Sequence, residues 1–325
     1  MDSPDWRPVA RMETLRARAA LMAAVRDFFA QRGVLEVETP LCSRYATTDP
    51  ALDPFVTRYA GPHAPPQGTL YLQTSPEFPM KRLLAAGSGP IYQICKAFRN
   101  GEYGRRHNPE FTLLEWYRPG FDHRRLMGEV AELVQTALGA AMPVERWTYA
   151  DLFHHHLGID AFHAPSDALA MRAREFGVDT EGMAGASRNA WLDLLLSHVI
   201  EPRLPPDRLI FIHDYPASQA ALARIRPDDP PVAERFELYV GPMELANGFN
   251  ELLDPQEQRR RFRAEQRACT MAGTPERPLD ERLLQALAAG MPATAGVALG
   301  LDRLLMLKVG ARDIREVLAF PLERA

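Results

Sequence analysis

Apolar residues recur at three- and four-residue steps through Leu15, Ala19, Met22, Val25 and Phe29, which predicts a helix over residues 11–32 stopped by Gly33. The next run, 34–40, is β-prone and closed by Pro40. Two more β runs, near 55–59 and 69–73, flank a Gly/Pro-rich loop at 61–66, and a helix is expected over 77–86. From 90 to 117 the pattern is strand, loop, strand, with the loop at 100–109. The second of these strands alternates, so Phe111, Leu113, Glu115 and Tyr117 share one face. A carboxylate and a phenol on an otherwise apolar face mark a pocket wall rather than a plain core. Residues 124–203 read as mainly helical.

Two β runs, 235–240 and 243–249, then bracket Gly241-Pro242, a two-residue turn that suits a hairpin. With that turn Tyr239 faces Glu244 and Glu237 faces Ala246, so Glu237 and Glu244 lie diagonally on one face. Simple alternation puts Asn247, Phe249 and Glu251 on the other face, unless a bulge around Gly248 brings them together. Helices are expected near 256–271 and 279–289, and 295–307 is a strand running into a helix through Gly300, with Arg303 in the first helical turn. Strands drawn from all parts of the chain and joined by hairpins predict an α+β fold, a mostly antiparallel sheet flanked by helices.

With 46% hydrophobic and 25% charged residues over 325 positions, the chain can bury a sizeable core, and wholesale disorder is excluded. Its 38 basic and 42 acidic residues leave a formal net charge of −4, which disfavours a protein built to grip nucleic-acid backbone. Lysine stands only at Lys81, Lys96 and Lys308, an arginine excess that reads as coding bias. Cys42, Cys95 and Cys269 lie far apart without a C-x-x-C pair, against a zinc knuckle or a disulfide framework. The N-terminus has no basic and apolar leader pattern and no stretch reaches transmembrane length, so a soluble cytoplasmic protein with no membrane partner is expected.

Neither glycine-rich phosphate-binding pattern is present, so a nucleotide would need another device. Arg99 and Arg303 can clamp phosphates with planar, bidentate donors while Glu237 and Glu244 hold Mg²⁺ against them. His154-His155-His156 fan out around a helix axis and suit a surface role better than one ion. Arg259, Arg260, Arg261, Arg263 and Arg267 read as a solvated helix face. Arg105 and Arg106 belong to the loop beside the proposed phosphate site.

Four ordered segments resemble the lysyl-tRNA synthetase branch of the class II aminoacyl-tRNA synthetases. They are Arg32-Gly33-Val34-Leu35-Glu36-Val37-Glu38-Thr39-Pro40; Thr74-Ser75-Pro76-Glu77-Phe78; Phe98-Arg99-Asn100 through His107-Asn108-Pro109-Glu110-Phe111-Thr112 to Glu115-Trp116-Tyr117; and Glu244 to Leu252 with Gly300-Leu301-Asp302-Arg303. The resemblance implies that Arg99 bridges the α-phosphate of ATP and the amino acid carboxylate and that Arg303 binds the far phosphates. It places Asn100, Glu102, His107, Asn108, Leu245 and Gly300 at the ATP, and Glu237 and Glu244 at the magnesium. Glu77, with Ser75 beside it, takes the amino group near the reacting carboxyl. Glu115, Tyr117 and Glu251 receive a side-chain ammonium, and Asn247 and Phe249 shape the pocket. Two carboxylates and a phenol are what a buried ammonium needs.

Two features point away from an ordinary synthetase. Only about ten residues precede the first predicted helix, so the OB-fold anticodon domain is expected to be absent, and Ala298 stands where lysyl-tRNA synthetases typically have glycine. The added methyl takes space from the α-amino end and favours a displaced amine. Both features, with phrases such as Met80-Lys81-Arg82-Leu83-Leu84 and Pro216-Ala217-Ser218-Gln219-Ala220, are similar to the elongation factor P–(R)-β-lysine ligase family, and the chain is identified as a member. Membership implies one catalytic domain over 1–325, activation of (R)-β-lysine or lysine by ATP, and transfer to a lysine of elongation factor P. It also implies a homodimer joined through 32–40 and no dependence on tRNA. The alternatives are a truncated lysyl-tRNA synthetase acting on tRNA, or a non-catalytic regulatory paralogue. One departure concerns ATP: Gly101 occupies the place of the usual motif glutamate, and either Glu102 replaces it through a loop shift or the acid is missing.

Overall fold

The computed structural model describes residues 6–325. In chain order the elements are α1 (Met12–Ala30), β1 (Leu35–Glu36), β2 (Cys42–Ser43), β3 (Val56–Arg58), β4 (Thr69–Leu72), α2 (Glu77–Ala85), β5 (Ile91–Phe98), β6 (Glu110–Pro119), α3 (His123–Leu138), β7 (Val144–Thr148) and α4 (Tyr149–Leu157). They continue with α5 (Ser166–Glu175), α6 (Arg188–Leu195), β8 (Leu209–Pro216), β9 (Ile225–Arg226), β10 (Val232–Val240), β11 (Met243–Asn250), α7 (Pro255–Met271), α8 (Glu281–Gly290), β12 (Thr294–Gly300) and α9 (Leu301–Val309).

The large sheet runs β1–β5–β6–β12–β11–β10–β8–β7, with β9 on β10, and a three-stranded sheet β2–β4–β3 stands apart from it. The inner pairings are antiparallel, as expected, while the two outer ones, β1 with β5 and β7 with β8, are parallel. The mainly helical stretch holds α3 to α6 but is interrupted by β7, which hydrogen-bonds to β8 across more than sixty residues. All eight residues of β8 are buried, so it lacks the alternation that would have marked it.

Alternation along the strands sorts the sheet into two faces. Leu114 and Trp116, Phe236 and Leu238, and Ala295, Val297 and Leu299 point toward α1, α3 and α9 and form the main core. Glu115 and Tyr117, Glu237, Gly296 and Ala298 point the other way, toward the site. A smaller cluster of Met80, Leu84, Phe262, Leu284 and Leu287 fastens α2, α7 and α8 around Tyr117 on that side.

The β10–β11 hairpin corrects one expected register. Tyr239 does face Glu244, but Leu238 faces Ala246 and Glu237 faces Asn247, not Ala246. Leu245 is the extra residue, so the bulge lies there and not at Gly248. Leu245 and Ala246 both turn into the core, and Glu244, Asn247, Phe249 and Glu251 therefore share the site face. Gly248 has a different purpose: a Cβ on it would stand 2.4 Å from the Phe236 ring, its cross-strand partner.

Candidate active site

A cavity of about 480 Å³ opens on the site face, with Glu77, Arg99, Glu115, Tyr117, Asn247 and Glu251 among its walls. Helix α2 delivers Glu77, and the Ser75 hydroxyl accepts the Glu77 backbone N–H at 3.4 Å. Adjacent strands deliver the rest in register: Ala298 lies between Glu115 and Asn247, and Gly296 between Tyr117 and Phe249. The Tyr117 hydroxyl donates to Glu115 Oε1 at 2.6 Å, while Glu115 Oε2 and Asn247 Oδ1 are buried without a partner. Such orphaned acceptors in a cavity call for a donor from a ligand.

Electrostatics here is set by burial. Burial, then the Glu77 charge, pushes the Glu115 carboxyl up to about 8, and burial pushes Glu251 up to about 7 against the pull of Lys81. Tyr117 is raised well above the ordinary phenol range by burial and then by Glu115, so it stays a hydrogen-bond donor. Lys81 lies among them, its Nζ 2.6 Å from Glu77 Oε1 and 2.6 Å from Glu251 Oε2. Gly296 forms part of the floor: a Cβ there would lie 2.3 Å from the Tyr117 ring and 2.5 Å from Glu251 Oε1.

Beyond the cavity lies a second constellation of arginines and acids. Arg99 follows β5 and stacks over Phe111 at 5.0 Å; its Nε is buried without a partner and Glu102 is 3.6 Å from Nη1. Gly101 has φ +79°, so the loop turns through a left-handed residue and puts Glu102, the next residue, beside Arg99. Arg303, in the first turn of α9, donates to the Glu244 carbonyl at 2.8 Å and to His107 Nε2 at 2.7 Å. Burial and then the Arg303 charge push His107 below the usual histidine range, so its ring is the neutral acceptor that this contact requires. Asp302 accepts the Thr112 backbone N–H at 2.6 Å and pairs with Arg18, pinning α9 to β6.

Glu237 is held by both the Tyr215 and the Tyr239 hydroxyls at 2.7 Å and by Arg235. Burial of the carboxyl end and the Glu237 charge push Glu244 above the ordinary carboxylate range, while 38% of its side chain stays in solvent, within reach of a cation. Among the described residues no group of three or more His, Cys, Asp or Glu forms a ready-made metal cage. The donor set fits magnesium shared with phosphate oxygens: hard carboxylate oxygens, with Glu244 open and Glu237 behind it.

Some expected residues reach the site only indirectly. Asn100 is engaged with Asp53, through Nδ2 to Oδ2 at 2.7 Å. Asn108 donates to the Glu110 carbonyl at 2.7 Å and accepts from the Leu322 backbone N–H at 3.2 Å, tying the loop to the C-terminal segment. The Leu245 side chain points into the core, leaving only its backbone for a ligand, and Gly300 is the turn into α9. Lys81, Arg235, Gly296 and Glu201 escaped notice in the sequence. Burial, then Glu237 and Glu244, push Glu201 up to about 7, and the Tyr239 hydroxyl that holds Glu237 also reaches Glu201 Oε1 at 3.4 Å. A Glu-x-x-x-Lys spacing at 77 and 81, and a glycine inside a strand at 296, were the available signals.

The family model for tRNA synthetases class II (D, K and N) matches residues 4–324. Three curated relatives cover essentially the whole chain, and each carries the name elongation factor P–(R)-β-lysine ligase. The protein of Erwinia tasmaniensis is 50% identical over 323 residues, 99% of each chain. That of Histophilus somni strain 2336 is 49% identical over 320 residues, 98% of each. That of Salmonella paratyphi B is 48% identical over 324 residues, 100% of this chain and 99% of its own.

Proposed function

The chain belongs to the elongation factor P–(R)-β-lysine ligase family within the class II tRNA synthetases, and from that premise we propose how its residues carry out the ligation. It activates (R)-β-lysine with ATP and transfers the acyl group to a lysine of elongation factor P. The observation that carries this reading is the convergence of Glu77, Glu115 and Glu251 on one cavity next to an arginine with a free buried donor. Two buried acids and a half-buried one call for cations, and an amino acid with two ammonium groups and one carboxylate supplies the matching chemistry.

Arg99 holds the substrate carboxylate against the α-phosphate, using the Nε that has no protein partner. A carboxylate oxygen attacks the α-phosphorus in line, the bond to the bridging oxygen breaks, and pyrophosphate leaves. Arg303, oriented by the Glu244 carbonyl and His107, holds the far phosphates as charge moves onto them. Glu244, supported by Glu237, would hold Mg²⁺, which supplies further neutralisation of the phosphates when bound. The ε-amino nitrogen of the acceptor lysine then attacks the acyl carbon of the adenylate. An amide forms, AMP departs with the bonding pair, and the nitrogen gives up its proton. No enzyme nucleophile is needed.

Ser75, Asn247, Phe249 and Ala298 shape the amino acid pocket in this reading, and Glu102 stands in for the acid displaced by Gly101 at the ATP. The whole of 1–325 acts as one catalytic domain in the cytoplasm; among the described residues no helix is long and apolar enough to cross a membrane. Two copies join through the 32–40 segment, where Leu35 is 56% exposed. (R)-β-lysine-dependent exchange of pyrophosphate into ATP tests the activation step. Exchange that is lost in Arg99→Ala and Arg303→Ala is expected, and no exchange with any lysine isomer would overturn the reading.

A further inference from the structure

Lys81 is 2% exposed and stands in the middle of a charge cluster that runs Glu77–Lys81–Glu251. Helix α2 creates the arrangement, because Glu77 and Lys81 are one turn apart and face the same way, with Met80 and Leu84 locked in the core beside them. Burial alone would lower the ammonium's pKa, but Glu251 and then Glu77 outweigh it and hold Lys81 above the ordinary lysine range. It stays charged behind the pocket wall, backing Glu77 and Glu251.

The charge count is the telling point. Glu77, Glu115 and Glu251 bring three negative charges when ionised, and Lys81 answers one of them. A diamino acid brings two ammonium groups, which balances the remaining two, and its carboxylate is left for Arg99. A monoamino acid answers only one of the two, so the other carboxyl keeps its proton and gives the ligand no ion pair. The sum covers these three acids and Lys81; Glu265, pushed up to about 7 by burial, is a further acid in the cavity wall and is held by Thr48. Tyr117 from β6 stays a neutral donor to Glu115, and Cys95 from β5, diagonal to Glu115, is pushed up to about 12, first by burial.

We propose that Lys81 is a positioning residue for the diamino acid, a built-in ammonium that ties Glu77 to Glu251 and so fixes the charge and the spacing of the two amine-binding carboxylates. It does not touch the reacting atoms. It holds the acceptor of the near amine and the acceptor of the distal ammonium at a set separation, and it keeps Glu251 able to ionise near neutral pH. This inference rests on the reading of the cavity as a diamino acid site.

The test is pyrophosphate exchange by the full-length enzyme as a function of pH, with (R)-β-lysine and ATP varied separately. In Lys81→Met the KM for (R)-β-lysine should rise roughly tenfold for each unit by which the acid pKa climbs. The rise should be largest at pH 6–7 and relieved toward pH 9, with the KM for ATP unchanged. Lys81→Arg, which keeps the charge, should restore the wild-type pH profile. A residue that merely holds α2 in place would lower the melting temperature of both variants without moving that profile. A folded Lys81→Met enzyme with the wild-type KM and pH dependence, or with tighter binding, would overturn the inference. Should that variant fail to fold, Lys81→Gln carries the same expectation, and should neither fold, a shifted profile in Lys81→Arg would contradict the proposal. Absence of exchange in the wild-type enzyme would strike the ligase reading itself, and the two failures are thereby distinguishable.

Discussion

Glu115, pushed up to about 8 by burial, carries a proton at neutral pH, whereas Glu251, near 7, is divided between its two forms. Both values are raised in the folded protein above the ordinary carboxylate. The stability they contribute is therefore fully present below about pH 4.5 and is lost as pH rises through 7 and 8. A ligand that brings ammonium groups prefers the ionised forms. The melting temperature of the free enzyme should fall between pH 6 and 8.5, while the increment produced by saturating (R)-β-lysine grows over the same window. Thermal melts with and without the amino acid check this, and an increment that is flat with pH contradicts it. Ala298 offers a second residue-level expectation, since its methyl lies between Glu115 and Asn247 on the neighbouring strands. Ala298→Gly should shift the ratio of activation rates toward α-lysine by about tenfold or more, the usual worth of one methyl in a fitted pocket. An unchanged ratio would refute the steric account. Glu115 and Tyr117 were legible in the sequence because they interrupt an apolar alternation. Lys81 was not, because a basic residue on a helix ordinarily lies in solvent, and only the fold reveals that this face of α2 points inward.

On the scale of elements, one inserted residue decides whether the β10–β11 hairpin can build a site. Leu245 is the bulge, and by turning its own side chain into the core it returns Asn247, Phe249 and Glu251 to the side that already carries Glu244. Inserting one residue between Asn247 and Gly248 would flip every later position, driving Phe249 and Glu251 toward the core and bringing Gly248 and Asn250 to the site face. The expected outcome is loss of lysine-dependent exchange together with a marked fall in melting temperature. An insertion variant that keeps near-normal exchange would contradict this register. The hairpin and its turn were legible from the β runs on either side of Gly241-Pro242. The bulge was not, because Leu245 and Ala246 are both apolar and a core-facing pair leaves no break in the pattern. The arginine run of α7 illustrates the opposite case. Arg259 pairs with Glu281 through two bonds of 2.6 Å, and Arg261 reaches Glu257 at 2.7 Å as well as the Ala221 and Ala223 carbonyls at 2.8 Å. Those residues clamp α7 to α8 and to the loop before β9, so they do more than solvate a face. Pairs at such an exposed position contribute about 0.2–1 kcal/mol each. Arg259→Ala is accordingly expected to leave exchange untouched and to lower the melting temperature by only a few degrees.

Across the whole molecule, the sheet brings together residues from every part of the chain: Glu77 from α2, Arg99 after β5, Glu115 from β6, Glu244 from β11, Glu251 just after it, and Arg303 from α9. That spread explains why ordered motifs were informative while the region between them was not. The motif residues are exposed to a ligand and so restricted in chemistry. The strands β7 and β8, by contrast, are defined by pairing with each other over a long separation, which leaves no local signal. A formal net charge of −4 suits an enzyme whose acceptor is a protein side chain and not a polyanion. The central claim is that the acyl group passes from an adenylate to a lysine of elongation factor P. Mass spectrometry of purified elongation factor P after incubation with this enzyme, ATP, Mg²⁺ and (R)-β-lysine tests it most directly, with tRNA in a parallel reaction. The account predicts one added β-lysyl group on a single lysine of elongation factor P, dependent on ATP and lost in Arg99→Ala, and no acylated tRNA. An unmodified elongation factor P alongside acylated tRNA would contradict it.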